Sequence, residues 1–227
     1  MNRLVAPRQL VLALDHATSF ARDDFLAGPS NASALALIES WPDWPNRVMA
    51  LVGPEGAGKT HLASIWAEAA GARVLSAKLL EHGDLPAALA TGALVLEDID
   101  PENLDEPALF HLLNLAREER AYVLITARAQ PTTFPVTIRD LESRLRAIPI
   151  VMLAAPDDAL LRALIVKLAA DRQLAVDEAL VNYLANRIER SFAAARAAVI
   201  RLDEEAMRQH RPVTRALAAE LFRDGAA

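Results

Sequence analysis

The first two thirds of the chain contain five short apolar runs rich in β-branched residues. They lie at 48–52, 73–77, 93–97, 122–126 and 148–153. Four of the five are continuously hydrophobic rather than alternating, which is typical of strands buried on both faces of a parallel sheet. Stretches long enough for helices separate them, including residues 59–70 and 107–120. This alternation predicts an α/β domain built on a five-stranded parallel sheet.

The last third of the chain has a different pattern, with no strand signal after residue 155. Asp157 and Asp158, which follow a proline, open an alanine-rich series of predicted helices near 157–171, 177–188, 191–209 and 213–223. The charge changes at the same point, since residues 1–154 carry 13 basic and 19 acidic side chains and residues 155–227 carry 11 of each. We therefore predict three parts: an N-terminal extension at 1–20, an α/β domain at 21–154 and a helical subdomain at 155–227.

The composition excludes several kinds of function. The chain has no cysteine, so it forms no disulfide, no cysteine-ligated zinc site and no thiol nucleophile, and its five histidines lack metal-ligand spacing. Its net charge of -6 has the wrong sign for holding duplex DNA by phosphate contacts alone. No uncharged apolar run approaches the ~18 residues of a membrane span, and the N-terminus lacks signal-peptide features. We expect a cytoplasmic protein with no membrane partner, linked to DNA only indirectly.

A phosphate-binding motif lies between the first predicted strand and the helix after it. The octapeptide GPEGAGKT matches the pattern G-x-x-x-x-G-K-[ST] and contains Gly53, Gly56, Gly58, Lys59 and Thr60. The glycines let backbone amides face phosphates, the lysine reaches the β and γ phosphates, and the threonine hydroxyl ligates Mg²⁺. The alternative is a chance glycine turn, but three of the eight glycines of the chain fall within six residues here. The motif predicts a nucleotide site.

Two further predicted strands end in side chains that suit this site. Glu97 and Asp98 close the third strand, where Glu97 takes the position of a magnesium ligand and Asp98 that of a residue orienting water. A shorter acid in the second position predicts weak intrinsic hydrolysis. Thr126 closes the fourth strand, where a side chain can contact the γ-phosphate. The alternative interpretation of Glu97 and Asp98 is a solvated acidic loop, and that of Thr126 is an ordinary strand residue.

These motifs, with an arginine before strand five and a helical C-terminal lid, resemble the AAA+ ATPases. Three short sequence segments are similar to those of the DnaA-type bacterial replication initiators: the histidine and leucine directly after the P-loop, DFLAGPSN at 24–31 and DLESRL at 140–145. Initiators of that type continue into a helix-turn-helix domain, whereas this sequence starts close to the core and ends at residue 227. It therefore resembles the short Hda-type homologues, which are regulatory inactivators of DnaA.

The resemblance implies an adenine nucleotide, ATP or ADP, and assigns residues to it. Phe25 and Leu26 belong to the segment that would shape the adenine pocket. The residues of this segment would also favour a plain turn in any protein. Arg190 resembles the lid arginine that reaches back to the phosphates. A solvated helical arginine is the plainer interpretation, and the lid offers three rival candidates: Arg187, Arg196 and Arg201.

Arg144 would be an arginine finger that acts on the ATP of a neighbouring protein. It lies in a predicted short helix whose Leu141 and Leu145, at i and i+4, anchor it to the core and leave Arg144 at the domain edge. The competing interpretation is a surface ion pair with Asp140 or Glu142. The neighbouring arginines at 139 and 146 are possible substitutes.

The segment QLVLAL at 9–14 resembles the short peptide by which replication proteins dock on the DNA sliding clamp. Such a peptide lays its leucines in an apolar groove and its glutamine at the rim. The alternation also fits a half-buried edge strand. The three residues assigned to clamp binding are Gln9, Leu10 and Leu12.

The resemblance thus predicts an adenine-nucleotide-binding regulator that docks on the clamp and stimulates ATP hydrolysis by DnaA. Its expected partners are DnaA and the clamp, and a second copy of the chain is a further candidate. The alternatives are a self-sufficient ATPase that loads or remodels a helicase or clamp, and a nucleotide-dependent adaptor without catalytic effect.

Overall fold

The computed structural model describes residues 20–222, and its centre is a sheet of five parallel strands. In chain order these are β1 (Val48–Val52), β2 (Arg73–Ser76), β3 (Ala93–Ile99), β4 (Tyr122–Ala127) and β5 (Ile150–Met152). They are arranged in the order β2-β3-β4-β1-β5. The predicted fold class, a five-stranded parallel α/β sheet followed by helices, is confirmed.

β2 and β4 differ from the predicted bounds by one residue each, and β3 and β5 differ by more, for local reasons. The apolar run at 148–153 yields a strand only from Ile150, because Pro149 has no N–H to donate and contributes only its carbonyl, which accepts from Ala50 N–H at 3.0 Å. β3 runs two residues further than predicted, to Ile99, through a register shift between Leu96 and Ile99. The two acidic residues of β3 therefore lie in this irregularity.

Helices cover both faces of the sheet. The helices of the α/β part are α1 (Ala32–Glu39), α2 (Lys59–Ala70), α3 (Leu85–Leu89), α4 (Glu106–Glu118) and α5 (Arg139–Ala147). Alternate strand residues point to opposite faces, so Leu94 and Leu96 pack in the core with α3, α4 and α5, whereas Met49 and Leu51 pack in a separate core with α1 and α2. The P-loop helix and α5 are therefore on opposite faces.

The C-terminal helices have a core of their own. They are α6 (Asp158–Asp171), α7 (Glu178–Ala185), α8 (Phe192–Gln209) and α9 (Arg215–Leu221). Each begins after a side chain that accepts a hydrogen bond from a first-turn amide: Asp157, Asp177, Ser191 and Thr214. Leu161, Ile165 and Leu184 are fully buried among them. Within residues 20–222, no helix has the length and apolar character needed to cross a membrane.

Candidate nucleotide-binding site

A cavity of about 850 Å³ opens at the carboxyl edge of the sheet, between the P-loop and the C-terminal helices. This volume lies in the range of small-molecule and cofactor sites. Its wall comes from four places in the chain: the segment around Phe25, the P-loop with the start of α2, the ends of β3 and β4, and one face each of α6 and α8. The position is the expected one for ligands of parallel α/β sheets.

Gly53 brings the P-loop close to two neighbouring strand ends. Its N–H donates to the carbonyl of Ala127 at 3.1 Å. A Cβ placed on Gly53 would lie 2.5 Å from the carbonyl oxygen of Leu153, which is closer than real Cβ atoms approach. Only glycine therefore permits this approach.

The other two motif glycines shape the loop and its contact with α8. Gly56 has φ +69° and Gly58 has φ +96°, a region that side chains disfavour. A Cβ on Gly56 would lie 2.7 Å from Cβ of Ser191, and the carbonyl of Gly56 accepts from the N–H of Phe192 at 2.9 Å. The N-terminus of α8 thus rests directly on the phosphate loop.

Lys59 is the buried cation of the site, with 7% of its surface exposed. Its Nζ donates to the carbonyls of Gly53 and Pro54, both at 2.9 Å. Burial lowers the pKa of Lys59, the negative charge of Asp98 opposes this, and the positive charge of Arg128 lowers it further. Phosphate oxygens would give this ammonium group a stronger partner than the two carbonyls.

Thr60 and Asp98 both line the cavity and provide oxygen donors for a cation. Asp98 has φ +55°, and its N–H donates to Oγ1 of Thr126 at 2.9 Å. Among the described residues, no group of three or more His, Cys, Asp or Glu side chains could hold a metal by itself. A hydroxyl and one carboxylate nevertheless fit Mg²⁺, which commonly takes one or two protein oxygens and completes its shell with phosphates and water.

Glu97 and Thr126 do not contribute to the wall of the cavity in the part of the chain that the structure describes. Glu97 is partly buried beside Ser76 of β2. Thr126 is fully buried, and its hydroxyl supports the backbone of Asp98. The metal role of Glu97 and the phosphate role of Thr126 stay predictions.

Phe25 and His61 form an aromatic corner of the cavity. Phe25 is 4% exposed and meets His61 edge to face, with ring centroids 5.2 Å apart. His61 Nε2 lies 3.0 Å from the carbonyl oxygen of Ala21, and burial lowers the pKa of His61. Leu26 turns away from the cavity and packs against the core of the C-terminal helices. The sequence places His61 directly after the P-loop, but no pattern in it predicts this contact with Phe25.

Of the four candidate lid arginines, Arg196 lines the cavity and Arg190, which the sequence favours, does not. The nucleotide role of Arg190 stays a prediction. Arg190 precedes the cap residue Ser191 and forms an exposed ion pair with Asp158 at 2.7 Å, outside the wall that the described residues form. Arg196 comes four residues after Phe192 on α8, so both side chains share the helix face that lines the cavity. The two remaining candidates stack on rings elsewhere: Arg187 on Tyr183 and Arg201 on Phe222.

Two long-range ion pairs of the cavity wall were not predicted from the sequence. Lys167 of α6 binds Asp24 at 2.6 Å and so connects the C-terminal helices to the segment before α1. Arg128, directly after β4, binds Glu55 of the P-loop at 2.9 Å. Each pair joins residues far apart in the chain, and no local sequence pattern indicates them.

Arg144 lies away from the cavity. Leu141 and Leu145 are buried, as their spacing predicted, and the Arg144 guanidinium lies 5.2 Å from the centre of the Phe110 ring. Glu142 pairs with Arg146 instead, at 2.6 Å. The helix α5, every residue of which the structure describes, adds nothing to the cavity wall.

The fold and the site together define a P-loop protein with the AAA+ architecture. No family model matches the sequence. Among solved structures, domain III of the Thermotoga maritima replication initiation protein DnaA matches with a TM-score of 0.73 at 18% identity, over 90% of this chain and 96% of that chain. The Thermotoga maritima RuvB Holliday junction branch migration motor matches with a TM-score of 0.71 at 21% identity, over 89% and 70%.

A third similar structure was determined with a nucleotide analogue. AMPPCP-bound DnaA from Aquifex aeolicus has a TM-score of 0.64 at 18% identity, over 84% of this chain and 69% of that chain. At these identities the likeness establishes the fold, a five-stranded AAA+ domain like those of DnaA and RuvB.

Proposed function

We propose that this chain is an adenine-nucleotide-binding regulator of the Hda type. It docks on the DNA sliding clamp and stimulates ATP hydrolysis by the replication initiator DnaA, which limits re-initiation of chromosome replication. The observation that carries the proposal is the separation of Arg144 from the chain's own nucleotide cavity.

Nucleotide binding is the first step of the proposal. Its support is the cavity itself, where Lys59, Thr60 and Asp98 meet at the end of a P-loop with two left-handed glycines. Phe25 and His61 offer ring edges to a base, and Arg196 offers a guanidinium from α8. The similar Aquifex aeolicus DnaA is bound to AMPPCP, which favours an adenine nucleotide here.

The Thr60 hydroxyl and the cavity-facing carboxylate of Asp98 would hold Mg²⁺. The bound ion would neutralise phosphate charge. Glu97, the ligand that the sequence favours, lies one residue earlier in the β3 irregularity. Asp98, whose backbone N–H donates to the Thr126 hydroxyl, is also the predicted residue for orienting water. We propose that weak intrinsic hydrolysis follows from one short acid serving both needs.

Action in trans is the second step. Arg144 is held on α5 by two buried leucines, on the face of the sheet opposite α2, with its guanidinium near Phe110. Of the two acids that the competing interpretation offers Arg144, Glu142 is paired with Arg146 instead. A guanidinium that is offered at the edge of the domain can stabilise a transferring phosphoryl group of another molecule.

The clamp-binding peptide is the third step and lies outside the described residues. Its support is the sequence alone: Gln9, Leu10 and Leu12 in the order that a clamp groove accepts. The net charge of -6 agrees with contact to DNA through the clamp rather than directly.

Nucleotide turnover tests the whole proposal. The chain alone should hydrolyse ATP slowly, and addition of DnaA with DNA-loaded clamp should raise total hydrolysis well above the sum of the separate rates. The second candidate is a self-sufficient ATPase, favoured by the similarity to RuvB, itself a branch migration motor. Fast hydrolysis by the chain alone, without a further rise on mixing, would support that candidate and contradict ours.

A further inference from the structure

The start of α5 is bound by a side chain from another helix. Ile138, the residue before α5, makes no side-chain hydrogen bond to the helix start. The carboxylate of Glu106, 32 residues earlier, binds the two residues that lead into α5. Its Oε2 accepts from the N–H of Ile138 at 3.0 Å, from the N–H of Thr137 at 2.8 Å and from the Thr137 hydroxyl at 3.0 Å, and its Oε1 accepts from the same Thr137 N–H at 3.0 Å. Hydrogen bonds to an ionised acceptor are stronger than those between neutral groups.

Glu106 serves α5 rather than its own helix. It is the first residue of α4, but the first-turn amide of Ala108 already donates to the Asp105 side chain at 2.7 Å. Asp105 therefore caps α4. The hydrogen bonds from Ile138 and Thr137 lower the pKa of Glu106, so the acceptor at neutral pH is the charged carboxylate.

A second contact between the two helices is made by Arg144 itself. Its guanidinium lies 5.2 Å from the centre of the Phe110 ring, within the range of a cation–π interaction. Phe110 comes four residues after Glu106, so both side chains leave α4 on the same side. α4 therefore holds α5 at its start and again at Arg144.

The contacts of Glu106 constrain α5 in a way that its buried leucines do not. Leu141 and Leu145 pack α5 against the core. Apolar packing has no preferred direction, so it resists separation of the helix from the core more than a slide or a rotation. Hydrogen bonds depend on both distance and angle, so those of Glu106 set the position of the helix start. Arg144 lies about 9 Å along the helix axis from Ile138, and a shift at the start is passed on to it.

The position of a catalytic guanidinium matters on the scale of such a shift. A misplacement of about 1 Å can cost about 10²-fold in rate. The wall of the nucleotide cavity, in the part of the chain that the structure describes, contains no residue of α4 or α5. A small movement of α5 would therefore displace Arg144 and leave the chain's own nucleotide site unchanged.

We propose that Glu106 is a positioning residue for Arg144: its carboxylate fixes the start of α5 and so sets where the guanidinium is presented to the ATP of the neighbouring protein. Phe110 supports the same position from the same side of α4. The inference rests on the proposed action of Arg144 in trans and adds to it the residue of a second helix on which that action depends.

The test is hydrolysis by DnaA with ATP and DNA-loaded clamp, measured over a range of concentrations of the full chain. Glu106→Ala should lower the maximal stimulated rate about tenfold or more and change the concentration for half-maximal stimulation by less than about twofold, because the guanidinium is misplaced while docking is unaltered. Glu106→Gln keeps an oxygen acceptor and loses the charge, so its maximal rate should lie between those of wild type and Glu106→Ala. In an Arg144→Ala background, Glu106→Ala should cause no further loss.

Asp177→Ala is the matched control for a general loss of stability. Asp177 is also a carboxylate at the start of a helix, where it accepts from the N–H of Leu180 at 2.7 Å, but it serves α7 among the C-terminal helices. This variant should lose stability and keep the stimulated rate. Melting curves and a fluorescent ADP titration establish that each variant is folded and binds nucleotide at the assay temperature. If Glu106→Ala is unfolded there, the loss of maximal rate must appear in Glu106→Gln.

Three results would overturn the positioning role of Glu106: a wild-type maximal rate in the folded Glu106 variants, an equal loss in Asp177→Ala, or a further loss in the Arg144→Ala background. Full stimulation by Arg144→Ala alone would contradict the proposed action in trans, and this inference with it. Loss of stimulation in Arg144→Ala together with a wild-type rate in Glu106→Ala would overturn the inference and leave the proposed function standing.

Discussion

Replacing Gly56 with alanine tests the contact between the P-loop and α8. The added Cβ would lie 2.7 Å from Cβ of Ser191, and the backbone there has φ +69°. Gly71, at the other end of α2, is a matched control: its φ is +61°, and a Cβ there would meet nothing within 4 Å. The two substitutions share the backbone strain and differ in the collision.

The expected magnitudes follow from this difference. A left-handed alanine costs about 1–2 kcal/mol in either variant. At Gly56 the collision adds about 1–3 kcal/mol, because Ser191 and the start of α8 must move. For a chain of this size each kcal/mol corresponds to about 2–4 °C in melting temperature, so Gly56→Ala should melt about 2–12 °C below Gly71→Ala.

Nucleotide affinity provides the second readout. Moving the start of α8 breaks the hydrogen bond from Phe192 N–H to the Gly56 carbonyl and displaces the cavity face that carries Arg196. Gly56→Ala should therefore bind ADP more weakly than wild type, whereas Gly71→Ala should bind it normally. Thermal melting and a fluorescent ADP titration measure the two effects. Equal melting temperatures and equal affinities in the two variants would refute the reasoning.

Three further predictions concern separate parts of the molecule. Lys59→Ala should abolish tight nucleotide binding and with it the rise in melting temperature that excess nucleotide gives the wild type; an unchanged titration would contradict the site. Glu106 accepts hydrogen bonds from the N–H groups at 137 and 138, and these bonds lower its pKa. The stability that this carboxylate contributes should be complete above the pKa that it has in the unfolded chain, and it should be lost as the pH falls through the lower pKa of the folded chain. If Glu106→Gln lost stability toward acid pH in the same way as wild type, this expectation would be contradicted. Clamp binding in a pull-down should disappear, with an unchanged melting curve, when alanine replaces three residues: Gln9, Leu10 and Leu12.

The sequence predicted the parts of the fold and site that depend on neighbours in the chain. β1 and α2 have the predicted bounds, because the run at 48–52, the P-loop and the helix after it form one continuous signal. The burial of Leu141 and Leu145 followed from their helical spacing. The short helices α1 and α3 were not predicted, since Ala32–Glu39 and Leu85–Leu89 are too brief for a clear period.

The rest of the site depends on contacts between distant segments. Whether Arg190 or Arg196 lines the cavity is decided by how α8 meets the P-loop, through the hydrogen bond from Phe192 N–H to the Gly56 carbonyl. These two residues are far apart in the sequence, so no local pattern indicates the contact. The pairs of Lys167 with Asp24 and of Arg128 with Glu55 are likewise long-range. The burial of Thr126 follows from the central position of β4, which the sequence order of the strands does not reveal.

The central claim, that Arg144 acts on a neighbour's ATP, is tested most directly by hydrolysis in the reconstituted system. DnaA, ATP and DNA-loaded clamp are mixed with wild type, Arg144→Ala or Arg146→Ala, the last removing a charge from the same helix. Arg144→Ala should bind nucleotide and clamp normally and lose most of the stimulated hydrolysis, where an arginine finger can contribute about 10³ to 10⁵ in rate. Arg146→Ala should retain it. An Arg144→Ala chain that stimulates DnaA at the wild-type rate would contradict the mechanism.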